Sequence, residues 1–399
     1  MLGPFDVLAR RAVVLVFLAT GLVSAWFGYG TLIPIDDTLV NAHGELVGAD
    51  FPVFYAAGAA AAARDTTSLY DPVAFAKLQE SLLGTPISGL PFLYPPTALF
   101  LWAPFGKLPY LHALWLWSAI MVLAMAWCAW RLAGHWIAAV FAVVSPLTVN
   151  AVAMGQNGVL LAIFMSLGLI SLQSRPYRAG GILGLLAIKP HLAIALPVCL
   201  AAGRHWRAIL GAFFTVFVMS VAAALIFGID NWIDFLNGLS PHSGKFFAED
   251  NRYWARIPSV TVSISRLAGN AEIGWVAQIV ASVSALGAGI YVWRTTDDRL
   301  LRVTALVMAT LLVTPHVMDY DVTILMLPIS IGIGEVIKGR KLPGLFGIGF
   351  IFWCFYYLST ASKALGWHPG PFIFAAVLVY VIVLSRRTRM AHTAESAVS

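Results

Sequence analysis

The most informative polar residue of this sequence is a lysine within an apolar run. Lys189 lies in the segment A-I-K-P-H-L at 187–192, where Pro190 lacks a backbone donor and breaks the helix. An ionisable group inside a membrane segment is costly, which makes it a candidate functional residue. A lysine is a compact point charge suited to phosphate, and His191 can donate to the same group. The alternative is a lysine whose charge reaches the membrane surface.

Asp50 is a second candidate, in the segment G-A-D-F-P-V-F-Y, which also contains Tyr55. It directly precedes a predicted helix, and aspartate is a preferred N-cap, so it could serve only to cap that helix. It could also act as a general base, because a carboxylate within hydrogen-bond reach of a hydroxyl can accept its proton. The sequence leaves both roles open.

Three further polar clusters interrupt the apolar runs. They are L-Y-D-P at 69–72 with F-L-Y-P-P at 92–96, which includes Tyr94; M-G-Q-N-G at 154–158, which includes Gln156 and Asn157; and T-P-H-V-M-D-Y-D at 314–321, which includes His316, Asp319 and Tyr320. The tyrosine segments could anchor the chain at a membrane interface, and the glycine-rich segment could be a tight turn. Gln156 and Asn157 could equally hydrogen-bond sugar hydroxyls or phosphate.

The sequence gives little support to metal or nucleotide chemistry. His316 and Asp319 have a spacing that invites a metal interpretation, but no third or fourth ligand is evident, so we expect no metal site. We find no Walker A motif, Rossmann fingerprint, nucleophile elbow or zinc motif, and therefore expect no cofactor. The three cysteines are scattered within apolar runs, where we expect them to pack as small apolar residues.

The composition requires lipid as the solvent for much of this protein. Of 399 residues, 60% are hydrophobic and 11% are charged, whereas soluble domains carry roughly 25% charge. The net charge of +6 could suggest a nucleic-acid partner. We expect none, because the basic residues form small groups between apolar runs instead of a patch.

The apolar runs predict an all-α polytopic membrane protein with about 11–13 transmembrane helices. Spans are expected near 12–33, 110–130, 135–152, 157–173, 179–189, 190–203, 207–227, 271–293, 300–314, 321–337, 343–360 and 370–385. The two short runs that meet at Lys189 could form a bent hairpin. The segment 92–106 is short and proline-rich, so we expect it to be re-entrant or partly inserted.

Charge sets the expected orientation, with both termini in the cytoplasm of a multi-pass protein of the cell (inner or plasma) membrane. Most lysines and arginines then lie in short cytoplasmic loops, as the positive-inside rule requires. The whole chain, 1–399, is expected to form a single membrane domain. It has two outer loops, 34–91 and 228–258, and a cytoplasmic tail, 386–399, that is disordered after Met390. Within the first loop, 51–64 and 72–83 are predicted to be helices at the membrane surface.

Taken in order, the clusters resemble glycosyltransferase family 87 of the GT-C superfamily over roughly residues 12–385. The residues that carry the resemblance are Asp50 with Tyr55, Leu69-Tyr70-Asp71, Tyr94-Pro95-Pro96, Gly155-Gln156-Asn157, Gly180 to Gly184 leading to Lys189-Pro190-His191, and Pro315-His316 with Asp319-Tyr320. The resemblance implies a GT-C-like helix bundle and a polyprenyl-phosphate-linked sugar donor, typically carrying mannose, used on the outer face. It implies that Asp50 is the catalytic base.

The implied reaction moves a hexose to a lipid or glycan acceptor, and it fits the residues independently. One base is needed for the acceptor hydroxyl, and positioned donors must stabilise the departing phosphate. Lys189, His191 and His316 could supply those donors, and the expected substrate-binding residues also include Tyr55, Tyr94, Gln156, Asn157, Asp319 and Tyr320. Transfer with inversion requires no partner acid and no divalent metal. A transporter or flippase of lipid-linked saccharides is the alternative, since an intramembrane lysine and broken helices also suit transport. A non-catalytic membrane scaffold is a third possibility.

Overall fold

The polypeptide is built almost entirely from α-helices. The computed structural model describes residues 4–35, 39–84, 90–246, 253–340 and 344–398. Across these ranges it contains 19 α-helices and no β-strand. In chain order the helices are α1 Pro4–Gly30, α2 Phe51–Ala63, α3 Pro72–Leu83, α4 Leu99–Trp102, α5 Tyr110–Ala133, α6 Ile137–Val144, α7 Pro146–Ala153, α8 Gly158–Ser171, α9 Pro176–Gly184, α10 Ala195–Ala202, α11 Trp206–Phe227, α12 Asp230–Phe246, α13 Val260–Ala268, α14 Ala271–Thr295, α15 Arg299–Val313, α16 Met326–Ile337, α17 Leu345–Trp353, α18 Phe355–Leu365 and α19 Gly370–Val398.

In the described part of the chain, four helices are long and apolar enough to cross a membrane: α5, α11, α14 and the part of α19 from Gly370 to Arg387. Large apolar side chains cover the outside of α11, where Phe213, Phe214 and Leu225 are exposed. A helix that is hydrophobic on its outer surface requires lipid around it. The chain is therefore an all-α polytopic membrane protein, as the sequence predicts.

Several predicted spans are interrupted in the structure. The run 135–152 is divided into α6 and α7 at Pro146, and the Ser145 hydroxyl caps α7. Proline cannot donate to the preceding turn, so one continuous helix is disfavoured here. The run 343–360 is likewise divided at Cys354 into α17 and α18. The total of 11–13 crossings stays a prediction.

The predicted break beside Lys189 is confirmed. Lys189 has φ −137° and ψ 74°, outside the helical region, and separates the 3₁₀ segments Leu185–Ile188 and Pro190–Ala193. Helices α9 and α10 flank this irregular stretch. Non-helical backbone at membrane depth is tolerated where protein or a cavity surrounds it, so the break can present Lys189 to a site.

The first predicted surface helix lies instead in the protein interior. Nearly every residue of α2 is buried, because its small side chains let the segment 92–106 pack against it. A Cβ on Gly58 would lie 2.2 Å from the carbonyl oxygen of Trp102, so the two backbones touch. The other predicted surface helix, α3, buries only Phe75 and Gln79 and keeps an exposed face. The segment 92–106 consists of short helical turns, none of which is long enough to span a membrane.

The second predicted outer loop and the C-terminus contain more helix than the sequence predicts. Residues 230–246 of the loop form α12, and residues 247–252 lie outside the described part of the chain. Helix α19 continues through Val398, which corrects the expectation of a disordered tail after Met390. The sequence after Met390 has no proline or glycine that would end a helix.

Candidate active site

A cavity of about 580 Å³ collects most of the predicted site residues. Seven of them line it: Asp50, Tyr94, Gln156, Lys189, His191, His316 and Tyr320. They come from the start of α2, the segment before α4, the turn between α7 and α8, the break before α10 and the loop after α15. Residues far apart in sequence therefore converge on a space large enough for a small molecule.

The Asp50 carboxylate does not cap α2. Its helix position is that of an N-cap, but the side chain makes no hydrogen bond to the helix backbone. Its Oδ2 instead accepts a hydrogen bond from Gln156 Nε2 at 2.8 Å. Asp71 provides the contrast, because its carboxylate accepts from the backbone N–H groups of Val73 and Ala74 and so caps α3. The capping alternative for Asp50 is therefore wrong.

The glycine-rich turn at 154–158 holds Gln156 against Asp50. The backbone N–H of Asp50 donates to the carbonyl oxygen of Met154 at 3.0 Å, which joins the turn to the start of α2. Gly155 has φ +65°, and a Cβ there would lie 2.5 Å from Cβ of Phe51. Only glycine fits such a position. The segment is thus a tight turn, and it also supplies Gln156, which donates a hydrogen bond to the Asp50 carboxylate.

Asp50 has no ionic partner among the described residues, although charges surround it. Burial raises the pKa of Asp50 above its usual value, while the hydrogen bond from Gln156 and the positive charge of Arg256 oppose that rise. A carboxylate with a raised pKa is a stronger proton acceptor than an exposed one. Burial thus disfavours the ionised form of Asp50, and its neighbours Gln156 and Arg256 favour that form.

Lys189 lines the cavity and is paired with an acid. Its Nζ is 2.5 Å from Oδ1 of Asp321, and both side chains are buried. The other oxygen of Asp321 accepts the backbone N–H of Met318 at 3.0 Å. The ammonium group also lies 4.7 Å from the ring centroid of Tyr320 and 6.0 Å from that of Tyr94. The snorkelling alternative is therefore wrong, since the charge is held inside the protein.

Arg256 is the cation that the sequence analysis missed. Its Nε and Nη2 donate to the two carboxylate oxygens of Asp319 at 2.8 and 3.0 Å, in a bidentate pair. Burial lowers the pKa of Arg256, but Asp319 more than offsets this and raises it, so the guanidinium stays charged. Unlike Lys189, it keeps about a quarter of its side chain exposed, 27%. Asp319 itself does not line the cavity; it contacts Arg256, which does.

The two histidines meet on one wall of the cavity. The ring centroids of His191 and His316 are 6.2 Å apart. Burial and the neighbouring Lys189 lower the pKa of His316 to about 4, so its imidazole is neutral at physiological pH. A neutral imidazole can donate one hydrogen bond and accept another. His191 Nε2 is buried without a hydrogen-bond partner among the described residues, and it is available to a bound molecule.

Two other predicted binding residues lie outside the cavity walls. The Tyr55 hydroxyl donates to the carbonyl oxygen of Leu108 at 2.9 Å, and its ring packs against Tyr110. Tyr55 therefore ties α2 to the start of α5, which corrects its assignment as a substrate contact. Asn157 is completely buried, and it lies close to Tyr94 behind the cavity wall.

The described residues contain no group of three His, Cys, Asp or Glu side chains that could hold a metal ion. A smaller apolar cavity of about 230 Å³ lies next to the first. Ile188, Pro190 and Phe235 line both spaces. Val216 and Met219 of the lipid-facing helix α11 form the far wall of the smaller cavity. A polar space with charged groups thus borders an apolar space beside the membrane.

Comparison with known families gives one match. The model of glycosyltransferase family 87 matches residues 92–315, which is more than half of the chain. The matched stretch contains Gln156, Lys189 and Arg256, whereas Asp50 precedes it. No curated protein and no solved structure matches the chain significantly.

Proposed function

This chain belongs to glycosyltransferase family 87, and we propose that it transfers a hexose, mannose in the first instance, from a polyprenyl-phosphate carrier to a lipid or glycan acceptor. The reaction takes place on the extracytoplasmic face of the cell membrane, with both termini in the cytoplasm. The donor therefore presents its phosphate at the membrane surface. The cavity supports this proposal because it places a base and two cations beside an apolar space.

The observation that carries the proposal is the state of Asp50. Among the described residues, its carboxylate neither caps α2 nor pairs with a cation, and its one side-chain hydrogen bond there comes from a neutral amide. Each nearby cation already has its own acid, Asp321 for Lys189 and Asp319 for Arg256. A partly buried carboxylate that faces a cavity in this state is suited to accept a proton.

The transfer step follows from these groups. The acceptor hydroxyl oxygen bonds to the anomeric carbon from the face opposite the phosphate, and the bond from that carbon to the phosphate oxygen breaks. Asp50 takes the hydroxyl proton, and the electron pair leaves with the polyprenyl phosphate. The configuration at the anomeric carbon is inverted. The phosphate gains one negative charge as it leaves. Because the phosphate anion is already a stable leaving group, no acid is needed to protonate it.

The cations act on that growing charge. Arg256 keeps part of its guanidinium in the cavity. Lys189 uses one ammonium N–H for its hydrogen bond to Asp321 and has two more that can donate. Positioned donors that meet charge developing in the transition state commonly contribute about 10²- to 10³-fold to the rate. His191 and His316 add neutral hydrogen bonds to phosphate or sugar. We assign no step to a metal ion.

The adjoining apolar cavity suits the first isoprene units of the carrier. Its walls come from α11, α12 and the 3₁₀ segment before Lys189, so a chain lying there would enter from lipid. The polar head would then reach the cations by passing the residues that line both cavities, Ile188, Pro190 and Phe235. Tyr94, Gln156 and Tyr320 remain as candidates for contact with the sugar.

The test is incubation of purified protein with polyprenyl-phosphate mannose labelled in the sugar, together with native lipid extract. We expect a labelled acceptor product and one equivalent of released polyprenyl phosphate. If the label remains on the carrier, catalysis is contradicted. If the intact donor instead crosses the bilayer of sealed vesicles, the protein is a flippase.

A further inference from the structure

A separate apolar cavity of about 290 Å³ shares no lining residue with the candidate active site. Helices α15 and α16 connect the two regions. The end of α15 and the start of α16 border the active cavity, near Thr314 and Asp321. The apolar cavity touches α15 at its opposite end, near Leu300, and runs along α16 from Pro328 to Ile337. Helices α1, α6, α17 and α19 complete its walls.

The walls of this cavity have almost no groups that could hydrogen-bond to water. Among the described residues that line it, only Thr304 and Tyr380 have polar side-chain atoms, and the Thr304 hydroxyl already donates to the carbonyl oxygen of Leu300 at 2.7 Å. Apolar cavities of this kind stay dry and are costly when empty. The volume is close to the lower end of the range for ligand pockets, about 300 Å³. In a membrane protein, hydrocarbon is the natural occupant.

The mouth of the cavity carries basic side chains. Tyr380 and Leu384 line the cavity on α19, and Arg387 follows them at the spacing that keeps the same helix face. Arg387 is exposed and close enough to Tyr380 to act on its hydroxyl electrostatically. On the neighbouring helix, Ile337 lines the cavity and Lys338 follows it, with 66% of its side chain exposed.

The nearby acids are already engaged with cations. Glu335 pairs with both Lys338 and Arg340, and Asp298 pairs with Arg340. No ion pair of Arg387 occurs among the residues that the structure describes. A surplus of positive charge therefore borders a hydrocarbon-lined space, which complements a lipid whose headgroup is anionic.

We propose that this cavity holds an acyl chain of an anionic phospholipid, with its phosphate at Arg387 and Lys338. The site is separate from the candidate active site and does not depend on the proposed glycosyl transfer. The bound chain fills the space between α1, α16, α17 and α19, and the headgroup neutralises the basic mouth. The lipid therefore stabilises the packing of these helices.

Two glycines on α17 provide a matched pair of variants. A Cβ on Gly349 or on Gly347 would meet no atom within 4 Å, so each position has room for a side chain. Gly349 lines the cavity and Gly347 does not. Gly349→Phe should therefore fill the cavity, whereas Gly347→Phe should extend outward from the same helix.

The experiment measures thermal unfolding of the full chain in detergent with phosphatidylglycerol or phosphatidylcholine of identical acyl chains. We expect phosphatidylglycerol to raise the midpoint by about 3 °C or more beyond phosphatidylcholine, as selective binding to the folded state would. Gly349→Phe should lose this difference and Gly347→Phe should keep it. Arg387→Gln should also lose it. Arg178→Gln, which removes an exposed arginine from α9, should not.

Equal shifts with the two lipids in the wild-type protein, or a full difference in Gly349→Phe, would overturn the proposal. If Gly349→Phe does not fold, a phosphatidylglycerol with a diazirine at the end of its acyl chain decides the question in the wild-type protein. Cross-links should fall on residues that line the cavity, such as Ile329, Gly332 and Val381. Cross-links confined to the lipid-facing surface of α11 would contradict the assignment.

Discussion

At the scale of single residues, the candidate site pairs each cation with its own acid. Lys189 and Asp321 are both buried, and a buried charge left without its partner costs about 3–5 kcal/mol. A simple Lys189→Ala variant would therefore combine lost stability with any lost binding. Variants that remove both charges can separate the two effects.

We predict that the double variant Lys189→Met with Asp321→Asn folds but binds the donor poorly. Losing one charge-assisted hydrogen bond costs about 1.5–3 kcal/mol, so the donor KM should rise roughly ten- to a hundredfold. The measurement is donor-dependent transfer kinetics in purified protein. Asp321→Asn alone keeps the lysine; the lost ion pair should lower the stability of this variant, but its folded form should keep the wild-type KM. An unchanged KM in the double variant would restrict Lys189 to a structural role.

Arg256→Lys should reduce kcat/KM for transfer by roughly tenfold or more, although the charge is conserved. Lysine cannot reproduce the bidentate contact with Asp319, and an exposed guanidinium edge is lost from the cavity. Arg266→Lys is the matched control, because Arg266 lies on α13 against Trp254 and does not line the cavity. Equal rates for the two variants would show that Arg256 does not contact the substrate.

The residue types of the site were largely predictable, and their pairings were not. Lys189 stood out because an ionisable residue is rare in an apolar run. Its partner Asp321 is visible only as one of two acids in the segment after α15, the other being Asp319. Arg256 had no comparable signal, because arginines in a mixed outer loop are ordinary. Only the fold brings Arg256 next to Asp319, 63 residues later.

At the scale of elements, small residues decide how closely the helices approach. Helix α9 packs on α11 with backbones in contact, since a Cβ on Gly180 would lie 1.9 Å from the carbonyl oxygen of Ala208. Close approach through glycine and alanine is typical of membrane helices. The same property explains why the alanine-rich α2 is buried: its small side chains allow α4 to pack on it. The sequence pattern of α2 identified a helix but not its depth.

Gly180→Ala should lower the free energy of unfolding by about 1–3 kcal/mol through overpacking against α11. Gly287→Ala is the control, because a Cβ there meets no atom within 4 Å, and alanine favours the helix. Thermal unfolding in detergent measures both variants. If Gly180→Ala is as stable as Gly287→Ala, the contact between α9 and α11 is looser than described.

At the scale of the whole molecule, the sequence predicted an all-α membrane protein but not how its spans are interrupted. Composition and apolar runs determine the solvent and the helical class. The divisions at Pro146 and Cys354 and the irregular stretch at Lys189 depend on neighbouring helices, which satisfy the freed backbone groups.

The orientation is testable with reporter fusions. Fusions after Arg178, Arg302 and Arg389 should report cytoplasm, and a fusion after Glu45 should report the outer side, because the positive-inside rule fixes the short loops. The comparison is alkaline phosphatase against green fluorescent protein activity in intact cells. A cytoplasmic signal at Glu45 would place the cavity on the wrong face for the proposed donor.

The most direct test of the account is the transfer rate of Asp50→Asn. The amide can still accept the hydrogen bond from Gln156, and Asp50 caps no helix, so the protein should fold normally. General-base catalysis contributes about 10²- to 10⁴-fold, so transfer should fall about a hundredfold or more. Asp71→Asn, at a carboxylate that does cap a helix, should leave transfer unchanged because asparagine caps about as well. A folded Asp50→Asn protein with near wild-type transfer would contradict the assignment of Asp50 as the base.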